Sequence, residues 1–206
     1  MAQLAWSDAL DLNLPLMDDT HREFVDLLAA VDAADDARLP QAWQALVEHT
    51  HHHFAQEDAW MASTRFAAGN CHSMQHEVVL KVMREGAARA AQGDLNVLRV
   101  MASELALWFP QHAQSMDAAL ALHLRRVGFD PVSGVVHAPH ALPVEPIQGC
   151  GGATCSDPGE EEHQPSPGIA WCTPAPAPAG APRFHPCRVA PALACLQLSP
   201  HRVLQQ

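Results

Sequence analysis

The sequence is short of basic residues. Lysine and arginine number 12 against 23 aspartates and glutamates, for a formal charge of −11. A nucleic-acid-binding surface needs a basic stripe, so this balance argues against nucleic acid as a partner. Long apolar runs are missing as well. No stretch approaches the roughly 20 apolar residues of a membrane helix, and no membrane association is expected. The N-terminus, MAQLAWSDALDLNLPLMDD, lacks the basic and apolar regions of a secretory signal. The expected location is therefore the cytoplasm. Proline is scarce over residues 1–130, with three, and abundant over 131–206, with fourteen. That contrast divides the chain near residue 130.

The tail, 131–206, holds Cys150, Cys155, Cys172, Cys187 and Cys195. It has neither helical nor alternating periodicity. Proline without a hydrophobic period favours extended, solvated chain, so a disordered tail is expected. Cys150 and Cys155 have C-x4-C spacing, a loose fit to zinc ligands. No second close pair follows, and no metal is assigned there. Structural disulfides are not expected in a reducing compartment.

Residues 1–130 are rich in Ala, Leu, Glu, Arg and Met, which are good helix formers. Four helices are predicted. The first runs from about 19 to 37, capped by Asp18 or Asp19, with Phe24, Leu27, Leu28 and Val31 on its apolar face. The second carries Pro40 in its first turn and runs to about 64. Gly69 and Asn70 supply a turn. The third covers about 71–91 and stops near Gly93. The fourth starts after Asp94 and ends at Gly128. Short connections between long helices predict an all-α, antiparallel up-down-up-down four-helix bundle. Residues 1–17, with Trp6, Leu10, Leu12, Leu14 and Leu16, are apolar enough to pack along it as an arm.

What the sequence has in abundance is histidine, 14 in all. In the second helix, HTHHHFAQEDAW, His53 and Glu57 are four residues apart and share a face. Leu46, His49, His53, Glu57 and Trp60 step by three and four, so this stripe should point inward. A buried imidazole beside a buried carboxylate needs a partner or a metal, because charge in a core is costly. Consecutive helical residues point about 100° apart, so only one of His51, His52 and His53 can share a given inward site. His53 has the carboxylate at i+4. His49, one turn earlier on the stripe, is its rival. His72 and His76 repeat the i, i+4 spacing in the third helix, ahead of Val79 and Met83. His112 lies on the row Leu98, Met101, Leu105, Trp108, and Asp117 follows five residues on. His21 sits alone in the first helix. Singly, each is more readily an ordinary core or surface residue. Jointly, all four helices place a histidine inward, and imidazole with oxygen ligands suits iron, zinc, copper or nickel.

The set His21, His53-x3-Glu57, His72-x3-His76, His112-x4-Asp117, in that order, resembles the hemerythrin family motif. The likeness extends to Trp6, to Asp18 three residues before the first histidine, and to HFAQED in the second helix. It covers about residues 5–130. The resemblance implies a non-haem diiron centre. His72, His76 and His112 would hold one iron, His21 and His53 the other, with Glu57, Asp117 and an oxo or hydroxo group bridging Fe2+ or Fe3+ ions. It also implies reversible binding of dioxygen for storage, delivery or sensing, and no enzymatic activity. Ferritin-like diiron oxidases use paired Glu-x-x-His motifs, and no such inward pair is found. An alternative function is a redox or oxygen sensor whose bundle or tail signals to a protein partner.

Phe24, Met101, Leu105 and Trp108 are candidates for an apolar wall around the centre. Asp18 is either an acceptor for a ligand histidine or a helix cap. Pro110 should kink the fourth helix. On a straight helix His112 and Asp117 would point about 140° apart, and the kink would either help to aim them or distort the site. Cys71 is expected as a plain thiol, because its neighbour His72 faces another way.

Overall fold

The computed structural model describes residues 4–66, 71–145 and 147. It is helical throughout: α1 Pro15–Ala33, α2 Leu39–Ser63, α3 Cys71–Ala90, α4 Asn96–His112 and α5 Ala118–Arg126. Between α4 and α5 lies a π-helical turn, Ala113–Asp117. The backbone stays right-handed helical across both junctions, so α4, the π turn and α5 form one rod. Consecutive helices pack side by side, and α1 also meets α4, which closes the ring. With such short connections, neighbours must run antiparallel. The expected four-helix bundle is what the chain forms. Among the described residues no helix is long and apolar enough to cross a membrane.

The first helix starts earlier than its acidic residues suggested. Pro15 takes the first turn, where its missing N–H costs nothing. Asp18 is thereby drawn inside the helix, almost wholly buried. Its carboxylate accepts hydrogen bonds from the backbone N–H of Leu12 (2.8 Å) and Leu14 (2.9 Å). It fixes the arm to α1 rather than touching a ligand histidine. Leu10, Leu12 and Leu14 of the arm are buried. Trp6 packs against the core edge, with the Arg22 guanidinium 4.4 Å from its ring centre. The fourth rod ends as predicted at Gly128, whose φ of +62° suits a residue without Cβ.

The apolar core falls into two parts. One gathers Phe24, Leu28, Leu46, Phe54, Val79, Met83, Leu98, Leu105 and Phe109. The other gathers Leu12, Met17, Trp60, Met61, Leu120 and Leu124. On α1 the change falls between Met17 and Phe24, on α2 between Phe54 and Trp60, and on the fourth rod between Phe109 and Leu120. The residues between are His21, Glu57, His112 and Asp117. A polar layer therefore crosses the bundle and divides its core.

The chain keeps contact with the bundle beyond residue 130. Phe129 pairs with Val136 in an isolated bridge. A short 3-10 turn at Pro139–Ala141 follows. Val136, Leu142 and Ile147 pack against the second core part, and the N–H of Ile147 donates to the Arg65 carbonyl. Proline ends helices but does not prevent packing, so this portion of the expected tail covers the open end of the core. The expectation of disorder for residues 148–206 lies outside the described residues.

Candidate metal centre

Each helix delivers its polar residues by simple periodicity. His53 and Glu57, and likewise His72 and His76, are one α-helical turn apart and point the same way. His112 and Asp117 are five apart, which a straight α-helix would splay. The π turn corrects this. The N–H of Ala118 donates to the Ala113 carbonyl, an i to i+5 bond, and i+5 residues come into line. The α-helix itself runs on through Pro110. The register that aims Asp117 therefore comes from the extra residue in the turn after His112. The expectation that Pro110 does this is replaced.

The result is a buried cluster of all seven expected residues. His21, His53, Glu57, His72, His76, His112 and Asp117 are each 3 % exposed or less. Their ligand atoms fall into two groups. One holds Glu57, His72, His76, His112 and Asp117, and the other His21, His53 and Glu57, every atom within 4.8 Å of the others in its group. Each carboxylate divides its oxygens. Glu57 Oε2 faces His72 Nε2 and His76 Nε2, both at 3.4 Å. Its Oε1 faces His53 Nε2 at 3.0 Å and His21 Nε2 at 3.8 Å. Asp117 Oδ1 lies 2.9 Å from His72 Nε2 and 3.2 Å from His112 Nε2. Its Oδ2 lies 3.3 Å from His21 Nε2.

These short distances do not amount to satisfied hydrogen bonds. His21 Nε2, His72 Nε2, Glu57 Oε2 and both Asp117 oxygens are buried without a hydrogen-bond partner among the described residues. No described Lys or Arg pairs with either carboxylate. A protein seldom buries so many polar atoms unpaired. Imidazole nitrogens and carboxylate oxygens are also the donor set that a divalent or trivalent iron takes. The residues present fit a metal-binding role.

The electrostatics follow from burial among opposite charges. Burial works against the charged form of His21, but the Asp117 and Glu57 carboxylates overcome it and raise its pKa to about 9. The same contest takes His72 to about 10. His76 is raised too, against burial, by Asp58 and Glu57. His112 is pushed down to about 4 by burial, which Asp117 only partly offsets. Burial would push Glu57 and Asp117 up. The surrounding imidazoles hold both carboxyls well below their usual range.

Aromatic rings line the cluster. Phe54 stacks on His76 with ring centres 3.9 Å apart, and Trp108 on His112 at 4.4 Å. Phe109 meets His21 edge-on at 5.2 Å and stacks on Phe24 at 4.5 Å. Of the four expected wall residues, Trp108 touches a cluster histidine and Phe24 backs one that does. Met101 sits instead against Gly86, where an added Cβ would come 2.3 Å from its sulfur. Leu105 belongs to the general core.

His49 is not a member. Its Nε2 lies 3.2 Å from the Thr20 carbonyl oxygen, and its Nδ1 lies 3.6 Å from Glu23. His51 and His52 are exposed. Cys71 is disulfide-bonded rather than a plain thiol, a pairing that chain spacing does not signal. Two residues in contact with the cluster escaped sequence reasoning. Asp58 Oδ1 lies 3.0 Å from His76 Nδ1. Gln75 Oε1 accepts from Trp108 Nε1 at 3.2 Å and lies 3.3 Å from His112 Nδ1. Asp58 lies off the inward stripe of α2, and Gln75, although buried on the inward face of α3, gives no sign by spacing of which residues on another helix it meets.

Comparison with known proteins agrees with this geometry. Residues 13–122 match the profile described as the hemerythrin HHE cation binding domain. A bacteriohemerythrin of Ralstonia nicotianae is 39% identical over 130 residues, covering 63% of this chain and 95% of that protein. One from Stenotrophomonas maltophilia is 26% identical over 142 residues, with 65% and 92% covered. One from Pseudomonas aeruginosa is 25% identical over 122 residues, with 57% and 79% covered. No solved structure matches significantly.

Proposed function

The chain belongs to the hemerythrin family, and on that ground we propose that its buried cluster holds two iron ions and that the protein binds dioxygen reversibly. The observation that carries this reading is the division of Glu57 and Asp117. Each carboxylate turns one oxygen towards the His72 side and the other towards His21. That arrangement supports His72, His76 and His112 as ligands of one ion, His21 and His53 as ligands of the other, and both carboxylates as bridges. The two-histidine side has fewer protein donors, which leaves room there for a small ligand.

The iron pair, when bound, would supply the two electrons that dioxygen takes up and gives back on release. The chain's own part is to position and to protect. Neutral imidazoles keep the charge of the loaded site low, and Phe24, Phe54, Trp108 and Phe109 keep water from its walls. Among the described residues only Glu57 and Asp117 add carboxylates to the ligand groups, which favours a binding protein over a carboxylate-rich oxidase.

The test is anaerobic loading with ferrous iron, an iron assay, and a visible spectrum before and after exposure to oxygen. Two irons per chain, with bands that appear in oxygen and vanish on its removal, are expected. A spectrum that oxygen changes irreversibly on first exposure would sink the reversible-binding reading. Iron content unchanged in His72→Ala/His76→Ala would sink the ligand assignment.

A further inference from the structure

The two halves of the cluster are not held equally. His76 is fixed on two sides: Phe54 stacks on its ring, and its Nδ1 lies 3.0 Å from Asp58 Oδ1. His112 is fixed likewise by the Trp108 stack and by Gln75. The chemistry of Gln75 settles a tautomer. An indole N–H can only donate, so the Gln75 atom facing Trp108 Nε1 is the amide oxygen. His112 Nδ1 faces that same oxygen and must donate to it. The Asp58 carboxyl oxygen faces His76 Nδ1 and accepts from it in the same way. Nε2 is then the nitrogen each ring offers to a metal; in the metal-free protein the two Nε2 atoms lie 3.3 Å apart, with His76 donating to the bare Nε2 of His112. On the opposite half neither histidine has such support: His21 Nδ1 and His53 Nδ1 are buried without a partner among the described residues, as is His72 Nδ1 alone on the three-histidine side.

Resting on the ligand assignment above, we infer that Asp58 and Gln75 are positioning residues that preset the three-histidine side, so that it takes a metal ion before the two-histidine side does. Three features point the same way. The His72 side gathers five donor residues and the His21 side three, or four once Asp117 bridges. Two of its three imidazoles have their tautomer chosen in advance, so less ordering remains for the metal to impose. One of them also faces an anion, which strengthens it as a donor. The Asp58 side chain is 42% exposed and lines a surface groove with His51 and Glu77.

The experiment titrates metal-free protein with Co(II) anaerobically, following the visible absorption bands that report cobalt coordination. Wild type should take up two equivalents in two resolved steps with different spectra. Asp58→Ala and Gln75→Leu should each weaken the first step by about 10- to 100-fold, the usual effect of losing such a partner. Asp58→Asn keeps an oxygen that can accept from Nδ1 and should recover most of that loss. In the metal-free protein, 15N shifts of the His76 and His112 rings should show Nδ1 protonated, and each variant should mix the tautomers of its own histidine. A merely structural role would not move that signature. Uptake of two equivalents in one unresolved step, or a first step unmoved in both Asp58→Ala and Gln75→Leu, overturns the inference while leaving the ligand assignment standing. No cobalt uptake by wild type, or unchanged uptake by His76→Ala, overturns both.

Discussion

His112 Nε2 lies 3.2 Å from Asp117 Oδ1 although the two residues are five apart in the chain. The π turn between them makes this possible, and it makes a prediction that runs against intuition. Deleting Ser115, an exposed residue of that turn, leaves His112 and Asp117 four apart. A regular α-helix then brings them to the same face, so iron binding should survive. Exchanging the neighbours, as in Met116→Asp/Asp117→Met, keeps the extra residue but moves the carboxylate off the aligned position. That variant should lose iron while keeping its helical circular dichroism. Iron assay and far-UV spectra of the two proteins decide the matter, and the reverse pattern would refute this account of the turn.

Proton traffic should accompany metal. His21 and His72 bind a proton more tightly in the fold than at the usual 6.5, with pKa values of about 9 and about 10. Their contribution to stability is complete below pH 6.5 and is lost as pH rises through those values. Glu57 and Asp117 act oppositely. Their contribution is present above the usual carboxylate range and is lost as acid protonates them. The metal-free bundle should therefore melt at a falling temperature between about pH 6.5 and 10. Iron needs deprotonated imidazole, so loading at pH 7.5 should release at least about two protons per chain. A pH indicator in weak buffer measures the release. Loading without proton release would contradict the arrangement.

Much of this centre was legible in the sequence because α-helical periodicity is local. His53 with Glu57 and His72 with His76 announce their shared faces by spacing alone, and the helices they sit on follow from composition. The rival His49 could not be dismissed that way. It lies on the same stripe, and only the fold shows it near Thr20 and Glu23 instead. Asp58 and Gln75 were invisible for a related reason. Their histidines lie 18 and 37 residues away along the chain, so only the packing of α2, α3 and α4 against one another creates the contacts. The π turn has no composition of its own, and Pro110 drew attention to the wrong cause. Prolines likewise hid the packing of Val136, Leu142 and Ile147 onto the bundle.

Phe109 should protect the oxygenated protein. Its ring edge meets His21, and its face stacks on Phe24 inside the core. Phe109→Ala removes a fully buried ring and should cost about 3–5 kcal/mol of stability. Water can then reach the two-histidine side, so conversion to the irreversibly oxidised form should accelerate. The rate is read from the decay of the visible bands in air-saturated buffer. Phe109→Leu fills much of the space and should fall between. A decay rate unchanged in both variants would show that this wall does not control water access.

Asp18 gives a case in which stability and metal binding should separate. Its carboxylate accepts from the backbone N–H of Leu12 and Leu14 and reaches no cluster histidine. Asp18→Ala leaves those two buried donors unpaired, and each unmet group costs about 1–3 kcal/mol. The arm should loosen, with faster hydrogen exchange at Leu12 and Leu14, and the melting temperature should fall. Iron content should not change, because the arm's anchor lies outside the ligand set. Asp18→Asn, which keeps an acceptor oxygen, should lose less stability than the alanine variant. If instead the alanine variant lost iron in step with its exchange protection, the arm would be part of what holds the centre together, and Asp18 would act on the metal through α1.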